Sequence, residues 1–386
     1  MIVAGEPSGD SHAAALVQAL QESLPGGSFK FFGATGPLMR AVGVESLVNS
    51  DELAILGLLE IGRALPKFVS AYKTLKKAAL KRRPAAVILV DWPDFNFRLA
   101  RTVHRNGLKT IYYIGPQLWA WRSHRLRNIK RDVDLVLTIL PFERSWYTKR
   151  GVNHVEFVGH PLVGEVRARF GREEFCRLHS LDPAKPIIAL LPGSRKKELQ
   201  RILPSMLDAA ALLQRERSDL QFVTAVAPSR APEEALEILR DRKDALQLEK
   251  NLTVVHGETR EALQAADAAA IASGTATLEG ALLNTPMVIV YKESRVNWHV
   301  LGSLITAEHY GLVNLIAGER LVTELMQDDL NGVRLAAELN QLLDDTRNSA
   351  LREQLRKVTL QLGEAGASTR AAGRILLALK EWSPGR

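Results

Sequence analysis

The stretch VILVDWPDFNFRLARTVHRN, residues 87–106, contains the unit from which the chain is built. Its first four residues, Val87–Val90, form the continuous apolar run that is typical of a strand buried on both faces. Polar residues and a proline interrupt this run, and Phe97–Asn106 then shows the spacing of an amphipathic helix. A buried strand, a polar loop and a helix in this order predict a parallel sheet with functional loops at its strand ends.

The same order recurs along the chain. It predicts a first set of buried strands at Ile2–Ala4, Phe31–Gly33, Val87–Val90, Thr110–Ile114, Leu135–Ile139 and Val155–Val158. It predicts a second set at Ile187–Leu191, Phe222–Val226, Leu252–Val255, Ala268–Ile271 and Met287–Tyr291. The predicted fold class is therefore α/β, with two Rossmann-like, doubly wound parallel-sheet domains that face each other across a cleft.

The length of 386 residues also favours two domains, because a single hydrophobic core rarely grows so large. We place the N-terminal domain at residues 1–160 and the C-terminal domain at 187–340. Residues 161–186 form a connector, where Pro183 and Pro186 disfavour a continuing helix or strand. Residues 341–386 have a helical pattern and either return to the N-terminal domain or are exchanged in a dimer.

The composition limits the classes of function. The one cysteine, Cys176, excludes an internal disulfide framework and fits a reducing cytoplasm. No apolar run approaches the roughly 20 residues needed to span a bilayer. The formal charge of +8 favours an anionic partner but does not choose among nucleic acid, an anionic membrane and a phosphorylated substrate. Because zinc-type Cys/His spacing is missing from the sequence, we predict neither a metal nor a cofactor.

Two polar loops follow strands of the first set. In Gly5–Asp10 the glycines let a ligand approach the backbone, or the loop is a plain turn with Ser8 or Asp10 as the helix N-cap. In the second loop Asp91 directly follows a buried strand, and its carboxylate is a candidate general base. The alternative for Asp91 is a structural role in the turn, and we expect Asp94 to cap the next helix.

Two loops of the second set carry candidate phosphate-binding residues. Arg195, after the strand that ends at Leu191, can place two hydrogen-bond donors on a phosphate. The segment Ala272–Thr277 precedes an apolar helix, whose N-terminus favours an anion. Glu279 lies about one turn into that helix, within reach of the ribose of a bound nucleotide. The structural alternative is Ser273 as an N-cap and Glu279 as a surface charge.

Two further segments have the composition of an interface. Eight basic residues and no acidic residue occur from Arg63 to Arg83, after the apolar stretch Ile55–Leu59. A basic amphipathic helix beside an apolar patch fits an anionic membrane surface, and a solvated helix packed on the core is the alternative. Trp119 and Trp121 follow a strand and either line an acyl or sugar site or pack in the core.

Taken in order, the polar loops resemble those of the bacterial lipid-A-disaccharide synthases. The resemblance covers nearly the whole chain and rests on Ala4–Asp10, Val90–Asn96, Trp119–Arg122, Leu140–Glu143, Val158–Pro161, Leu191–Arg195, Ala272–Glu279 and Val313–Gly318. It implies a GT-B fold and an inverting, metal-independent hexosyltransferase. Such an enzyme transfers 2,3-diacylglucosamine from UDP-2,3-diacylglucosamine to 2,3-diacylglucosamine 1-phosphate (lipid X), which forms a β(1→6) disaccharide and releases UDP. Trp92 departs from the pattern, because a small residue is expected there.

The resemblance also implies site residues and partners. It assigns the role of general base to Asp91 and the binding of the UDP diphosphate to Arg195. With the loop analysis, the donor site is predicted at Ser194, Arg195, Ser273, Gly274, Thr275, Ala276, Thr277 and Glu279. The acceptor side is predicted at Gly5, Glu6, Ser8, Gly9, Asp94, Trp119, His160 and Asn314. The family associates peripherally with the cytoplasmic side of the inner membrane, here through Arg63–Arg83, and can form a homodimer by exchanging C-terminal segments.

Other functions stay open at this point. Another GT-B enzyme that uses UDP-GlcNAc, either a cell-wall GlcNAc transferase or a 2-epimerase, would have the same two-domain scaffold. A nucleic-acid-binding protein is disfavoured, because the basic residues show neither an RRM-like aromatic signature nor a helix-turn-helix unit.

Overall fold

The computed structural model describes residues 1–24, 29–51, 61–242, 248, 250–294, 298 and 309–382, with residues 61–64 described by their backbone only. The chain divides into two compact units. Unit 1 comprises Met1–Val163 together with Leu362–Arg386, and unit 2 comprises Gly164–Gln361.

Unit 1 is built on a parallel sheet. Its strands are β1 (Ile2–Ala4), β2 (Phe32–Thr35), β3 (Glu45–Asn49), β4 (Val87–Val90), β5 (Thr110–Tyr113), β6 (Leu135–Thr138) and β7 (Val155–Phe157). Among the described residues the sheet has seven strands in the order β3-β2-β1-β4-β5-β6-β7. The six predicted strands are present, with ends that shift by at most two residues. The additional strand β3 was not predicted because none of its residues is buried and no apolar run marks it.

Helices cover both faces of this sheet. They are α1 (Pro7–Glu22), α2 (Pro37–Ala41), α3 (Ile61–Arg82), α4 (Pro93–Arg105), α5 (Leu126–Asp132) and α6 (Pro141–Thr148). Neighbouring strand residues belong to different apolar clusters: Leu89 and Tyr112 pack with α3 and α4, whereas Ile88 and Tyr113 pack with α1. Since successive side chains of a strand point to opposite faces, the sheet has one apolar core on each side.

Unit 2 repeats this construction. Its strands are β8 (Ile187–Leu191), β9 (Gln221–Val226), β10 (Leu252–His256), β11 (Ala268–Ala272), β12 (Met287–Tyr291) and β13 (Glu324–Met326). In the described part of the unit they form a six-stranded sheet in the order β10-β9-β8-β11-β12-β13. Its helices are α7 (Arg172–Leu178), α8 (Lys196–Glu216), α9 (Pro232–Arg240), α10 (Thr259–Ala265), α11 (Thr275–Leu282), α12 (Leu312–Ala317), α13 (Gly332–Leu342) and α14 (Asp345–Leu360). Only the three-residue strand β13 was not predicted.

Unit 2 begins at Gly164 and therefore includes most of the segment that the sequence assigns to a connector. Helix α7 lies in this segment and packs against α10. The guanidinium group of Arg172 donates to the carbonyls of Pro183 and Lys185 and to the carboxylate of Asp267. The segment is therefore bound to the body of unit 2 by both packing and hydrogen bonds.

The chain ends in a helix that packs on unit 1. Helix α15 (Ala367–Trp382) lies against α1, and its residues Ala371 and Ile375 belong to the same apolar core. The backbone N–H of His160 donates to the carbonyl of Leu362 at 2.9 Å, and Arg370 Nε donates to the carbonyl of Val158 at 2.8 Å. The C-terminal segment thus completes unit 1 of its own chain, and exchange of this segment between two chains stays a prediction.

The strand order places four loops in pairs. In unit 1, β1 lies between β2 and β4, and in unit 2, β8 lies between β9 and β11. The loops after β1 and β4, and those after β8 and β11, therefore lie side by side where the winding reverses, which is where doubly wound sheets bind ligands. These are the four loops that the sequence singles out. The predicted class, α/β with two Rossmann-like parallel-sheet domains, is confirmed.

Candidate functional site

In unit 1 the candidate base is a partly buried carboxyl group. Asp91 follows β4, and burial raises its pKa to about 6, with a further contribution from the negative charge of Glu6 in the neighbouring loop. The backbone N–H of Trp92 donates to this carboxylate and partly offsets the shift. A Cβ atom at Gly9 would lie 3.7 Å from Asp91 Cβ. The structure therefore brings Glu6 and Gly9 of the first loop next to a carboxyl whose pKa suits proton transfer near neutral pH.

Trp92, the departure from the family pattern, is packed against a glycine. A Cβ atom added to Gly5 would lie 2.0 Å from the indole ring, so no other residue fits at this position. The indole stacks on Phe95 with ring centroids 4.0 Å apart, and the ring of Phe68 lies 5.9 Å away. Gly5 thus makes room for a large aromatic residue directly after the candidate base.

The first loop does not use the predicted capping residues for its own helix. Glu6 occupies the N-cap position of α1, and Ser8 and Asp10 lie inside the helix. The buried carboxylate of Asp10 instead caps the neighbouring helix α2, because it accepts hydrogen bonds from the backbone N–H groups of Gly36, Leu38 and Met39. Asp10 therefore ties the loop after β1 to the loop after β2.

Asp94 does not cap α4, so this expectation was wrong. The N-cap position is Trp92, and no side chain caps the helix there. The exposed carboxylate of Asp94 accepts a hydrogen bond from Arg125 at 2.5 Å and a longer one from Arg122 at 3.5 Å. These contacts fix Asp94 at the mouth of a groove in unit 1.

Trp119 and His160 are held inside unit 1. Trp119 Nε1 donates to Glu143 at 3.2 Å, and its ring contacts Phe142 edge to face. Burial raises the pKa of Glu143 to about 7. His160 is buried, its Nδ1 accepts from the backbone N–H of Leu162, and burial lowers its pKa to about 4. His160 is therefore neutral at physiological pH.

A groove of about 850 Å³ opens between α3 and α4, beside the loop of Asp91. Its lining is mainly apolar and aromatic and includes Leu65, Phe68, Val69, Tyr72, Trp92, Phe95 and Trp121. Arg98, Arg101 and Arg105, which lie along one face of α4, also line it, and none of the ion pairs of the described residues involves them. The acidic residues Glu6 and Asp94 also line it. Such a groove suits an amphiphile with apolar chains and a negative charge.

The basic segment is an amphipathic helix for the part that the structure describes. In α3 the buried residues Ala71, Leu75 and Ala79 face the core, and the lysines are exposed. The apolar stretch Ile55–Leu59 and the side chain of Arg63 lie outside the described residues. Within the described residues no helix is both long and apolar enough to cross a bilayer.

In unit 2 the two predicted phosphate loops line one cavity of about 380 Å³. The loop after β8 contributes Gly193, Ser194 and Arg195, and the loop after β11 with the first turns of α11 contributes Ser273, Gly274, Thr275, Ala276 and Glu279. The structure thus joins residues that are some 80 positions apart in the sequence. Among the described residues no group of three or more His, Cys, Asp or Glu side chains is arranged to hold a metal ion.

A carboxylate already occupies the donors of the first of these loops. Glu198 accepts hydrogen bonds from the backbone N–H groups of Ser194 at 3.0 Å and Arg195 at 3.1 Å. Its other oxygen accepts from the guanidinium group of Arg195 at 2.9 Å. The Arg195 side chain is 82% exposed, so it is free to turn toward a ligand. Glu198 thus accepts the hydrogen bonds that an anionic ligand of this loop would need.

The second loop forms a helix N-terminus that begins at a glycine. Gly274 occupies the N-cap position with φ of 147°, a backbone conformation that residues other than glycine rarely adopt. Ser273 is not the cap, because its hydroxyl donates to the carbonyl of Tyr310 at 3.2 Å. Thr277 is buried and its hydroxyl donates to the Gly274 carbonyl. Thr275 and Ala276, the first two residues of α11, line the cavity, and their backbone N–H groups lack an intrahelical partner and are available to an anion.

Glu279 and Asn314 have partners within unit 2. One carboxylate oxygen of Glu279 accepts two hydrogen bonds from Arg260, at 2.8 and 3.0 Å. Asn314 is fully buried, and its side chain bonds to both backbone groups of Val322 and to the carboxylate of Glu324. Glu279 lines the cavity, whereas Asn314 supports the fold behind it.

The family model for lipid-A-disaccharide synthetase matches residues 1–378. The chain belongs to the lipid-A-disaccharide synthetase family. The lipid-A-disaccharide synthases of Trichlorobacter lovleyi and Geobacter sulfurreducens are each 41% identical to it over 377 residues, which cover 97% of this chain and 96% of the relative. The resemblance drawn from the loops is confirmed.

Solved structures show the same fold at low identity. HepE of Anabaena, in complex with UDP and glucose, has a TM-score of 0.60 at 12% identity, and the match covers 98% of both chains. A putative UDP-N-acetylglucosamine 2-epimerase from Listeria monocytogenes has a TM-score of 0.63 at 13% identity and covers 99% of this chain and 95% of its own. This likeness supports the GT-B fold but does not distinguish a transferase from an epimerase, which the family membership does.

Proposed function

We propose that this enzyme transfers 2,3-diacylglucosamine from its UDP derivative to lipid X by a single displacement, with Asp91 as the base and Arg195 and helix α11 as the UDP site. Its family membership makes it a hexosyltransferase that forms the lipid A disaccharide. The cavity that unites the loops after β8 and β11 is the observation on which the donor half of the proposal rests. The partly buried carboxyl of Asp91 after β4, with its raised pKa, supports the other half.

The donor half needs a counter-charge for departing UDP. The Arg195 guanidinium and the first N–H groups of α11 supply positive charge and preorganised donors, which stabilise the charge that develops on the leaving diphosphate. To bind it, the N–H groups of Ser194 and Arg195 must exchange the carboxylate of Glu198 for phosphate oxygens. Arg260 holds one oxygen of Glu279, so that the other can accept a hydrogen bond from the ribose.

The acceptor half needs a base for a primary hydroxyl. With a pKa of about 6, Asp91 is mostly ionised at pH 7 and can take the proton as the hydroxyl attacks the anomeric carbon. Attack from the face opposite UDP converts the α-linked donor into a β-linked product. A positioned base of this kind contributes about 10²–10⁴-fold to the rate.

The groove beside Asp91 fits the acylated acceptor. Its aromatic and aliphatic walls bury acyl chains, and the arginines of α4 offer charge to a phosphate. The lysines of α3, one of the two helices that form this groove, are exposed, and a basic helix of this kind binds an anionic lipid surface. We therefore place the enzyme's work at the cytoplasmic face of the inner membrane, where it would take its acceptor from the lipid phase.

The test is turnover of the two acylated substrates in the presence of EDTA, followed by mass spectrometry. The wild-type enzyme is expected to yield the disaccharide 1-phosphate and UDP. Asp91→Asn should lose at least about 10²-fold in kcat while UDP still binds, since the donor cavity is untouched. Asp94→Asn, a neighbouring carboxylate, should raise the acceptor KM with kcat retained.

The donor site is tested separately. Arg195→Ala removes charge-assisted donors, and we expect UDP to bind about 10–100-fold more weakly. Turnover of Asp91→Asn within a few-fold of wild type would remove Asp91 as the base, and unchanged UDP affinity of Arg195→Ala would remove Arg195 from the donor site. Consumption of UDP-GlcNAc without any acceptor would favour the 2-epimerase reaction.

A further inference from the structure

The turn that carries the candidate base has an unusual backbone. Asp91 and Trp92 have φ values of 50° and 49°, so two successive residues with side chains adopt the left-handed conformation. Residues other than glycine adopt it at a cost in free energy, and such strain persists only where the surrounding structure imposes it. Contacts of this turn must therefore hold it in place.

Two buried side chains converge on one atom of this turn, the backbone carbonyl oxygen of Asp91. Asn96 Nδ2 donates to it at 2.7 Å, and the hydroxyl of Tyr112 donates to it at 2.8 Å. Both residues are 0% exposed. Asn96 also donates to the carbonyl of Val90 at 3.3 Å, and its own N–H donates to the carbonyl of Trp92 at 3.0 Å. The strained turn is thus closed by Asn96 from its own helix and by Tyr112 from the neighbouring strand β5.

The direction of the Asp91 carbonyl determines the position of the carboxyl. With the carbonyl turned to Asn96 and Tyr112 in the core, the side chain of Asp91 lies beside Gly9, and the following N–H, that of Trp92, donates to its carboxylate. Burial holds the pKa of Tyr112 well above its ordinary value, so that its hydroxyl keeps its proton and stays a donor.

We propose that Asn96 and Tyr112 are positioning residues that hold the Asp91 carbonyl in the left-handed turn and thereby aim the carboxylate at the acceptor hydroxyl. The inference rests on the proposed role of Asp91 as the base. Neither residue touches the substrates, and both act on the reaction through the backbone of Asp91. Loss of either donor releases the strained turn, so the carboxylate departs from its aligned position and loses the Trp92 N–H bond.

The decisive variant is Tyr112→Phe, which keeps the packed ring and removes only the hydroxyl. We expect kcat to fall about 3–10-fold, the loss of a single hydrogen bond, with the UDP affinity unchanged. Without the Trp92 N–H bond the pKa of Asp91 should rise, so the acidic limb of the pH–kcat profile should move to higher pH. Asn96→Ala removes the shorter of the two bonds and should lower kcat at least as much.

Tyr113→Phe is the matched control. Tyr113 is the next residue of β5, equally buried, and its side chain packs in the core on the other face of the sheet, away from Asp91. Its kcat and pH profile should match those of the wild type. If Asn96→Ala fails to fold, Tyr112→Phe alone tests the proposal. Thermal unfolding of Tyr112→Phe and Tyr113→Phe then shows whether the two variants are equally stable, so that a difference in kcat is not a difference in folding.

The outcomes separate the two claims. If Asp91→Asn is inactive and Tyr112→Phe shows the shifted pH profile with lowered kcat, the positioning role is supported. If Asp91→Asn is inactive but Tyr112→Phe matches Tyr113→Phe in kcat and pH profile, the positioning role is refuted and the base assignment stands. If Asp91→Asn retains turnover, the base assignment fails, and the positioning role fails with it.

Discussion

Replacing Glu198 with glutamine is expected to tighten the binding of UDP, although Glu198 lines the donor cavity. In the structure this carboxylate accepts three hydrogen bonds, from the N–H groups of Ser194 and Arg195 and from the Arg195 side chain. A diphosphate that uses the same donors must displace it. Glu198 therefore competes with the ligand inside the protein.

The magnitude follows from these three bonds. Each backbone bond contributes about 1 kcal/mol, and the exposed ion pair contributes about 0.3–0.5 kcal/mol, so displacement costs roughly 2–2.5 kcal/mol. Glutamine keeps an acceptor oxygen for the backbone but loses the charge, which removes about half of this cost. A gain of about 1 kcal/mol corresponds to a roughly fivefold lower Kd for UDP. The helix cap of α8 weakens at the same time, so the free energy of unfolding should fall by about 0.5–1 kcal/mol.

Isothermal titration of Glu198→Gln with UDP, beside thermal unfolding, separates these effects. Glu216→Gln, at the exposed far end of α8, is the control and should change neither quantity. Weaker UDP binding by Glu198→Gln, with normal binding by the control, would refute the competition and would mean that Glu198 itself supports the bound nucleotide.

Three further results are expected. Because the pKa of Asp91 is raised to about 6, kcat/KM should fall about tenfold per pH unit below pH 6. The same shift means that ionised Asp91 lowers the free energy of unfolding above pH 6. This penalty should disappear as the pH falls from 6 toward 3.8, which chemical denaturation at a series of pH values would measure. Arg260→Ala releases Glu279 and should weaken UDP binding about three- to tenfold in the same titration, and unchanged affinity would argue against a ribose contact. Reversing the charge of Lys73 and Lys77 should reduce sedimentation with phosphatidylglycerol vesicles, and undiminished binding would indicate that α3 is merely solvated.

The strands were predictable where burial on both faces leaves a continuous apolar run. Val87–Val90, Ile187–Leu191 and Met287–Tyr291 have the bounds that the sequence predicts. The strands β3 and β13 lie at the edges of their sheets, and β3 has no fully buried residue, so neither produces such a run. The sequence predicts that both sheets are parallel and doubly wound, but it does not predict the order of the strands, which determines how the four loops pair.

The positions of the loops were predictable, but the partners of their residues were not. Tyr112 is 21 residues from Asp91, and Arg260 is 19 residues from Glu279, so only the folded sheet brings each pair together. Glu198 gives a local signal, since it lies three residues after Arg195 as in a capping box, but an arginine at the N-cap hides that pattern. The spacing of the arginines on α4 is visible in residues 87–106, yet their groove requires α3 beside them.

The return of α15 to unit 1 has a consequence for the order of folding during synthesis. Unit 2 is one uninterrupted segment and can close as soon as it leaves the ribosome, whereas unit 1 waits for a helix that is made after all of unit 2. Until then the face of the sheet that Ala371 and Ile375 cover stays open to water. The nascent chain thus carries a finished unit 2 tethered to a unit 1 whose apolar surface is still exposed, and a chain that ended at residue 361 would stay permanently in that state.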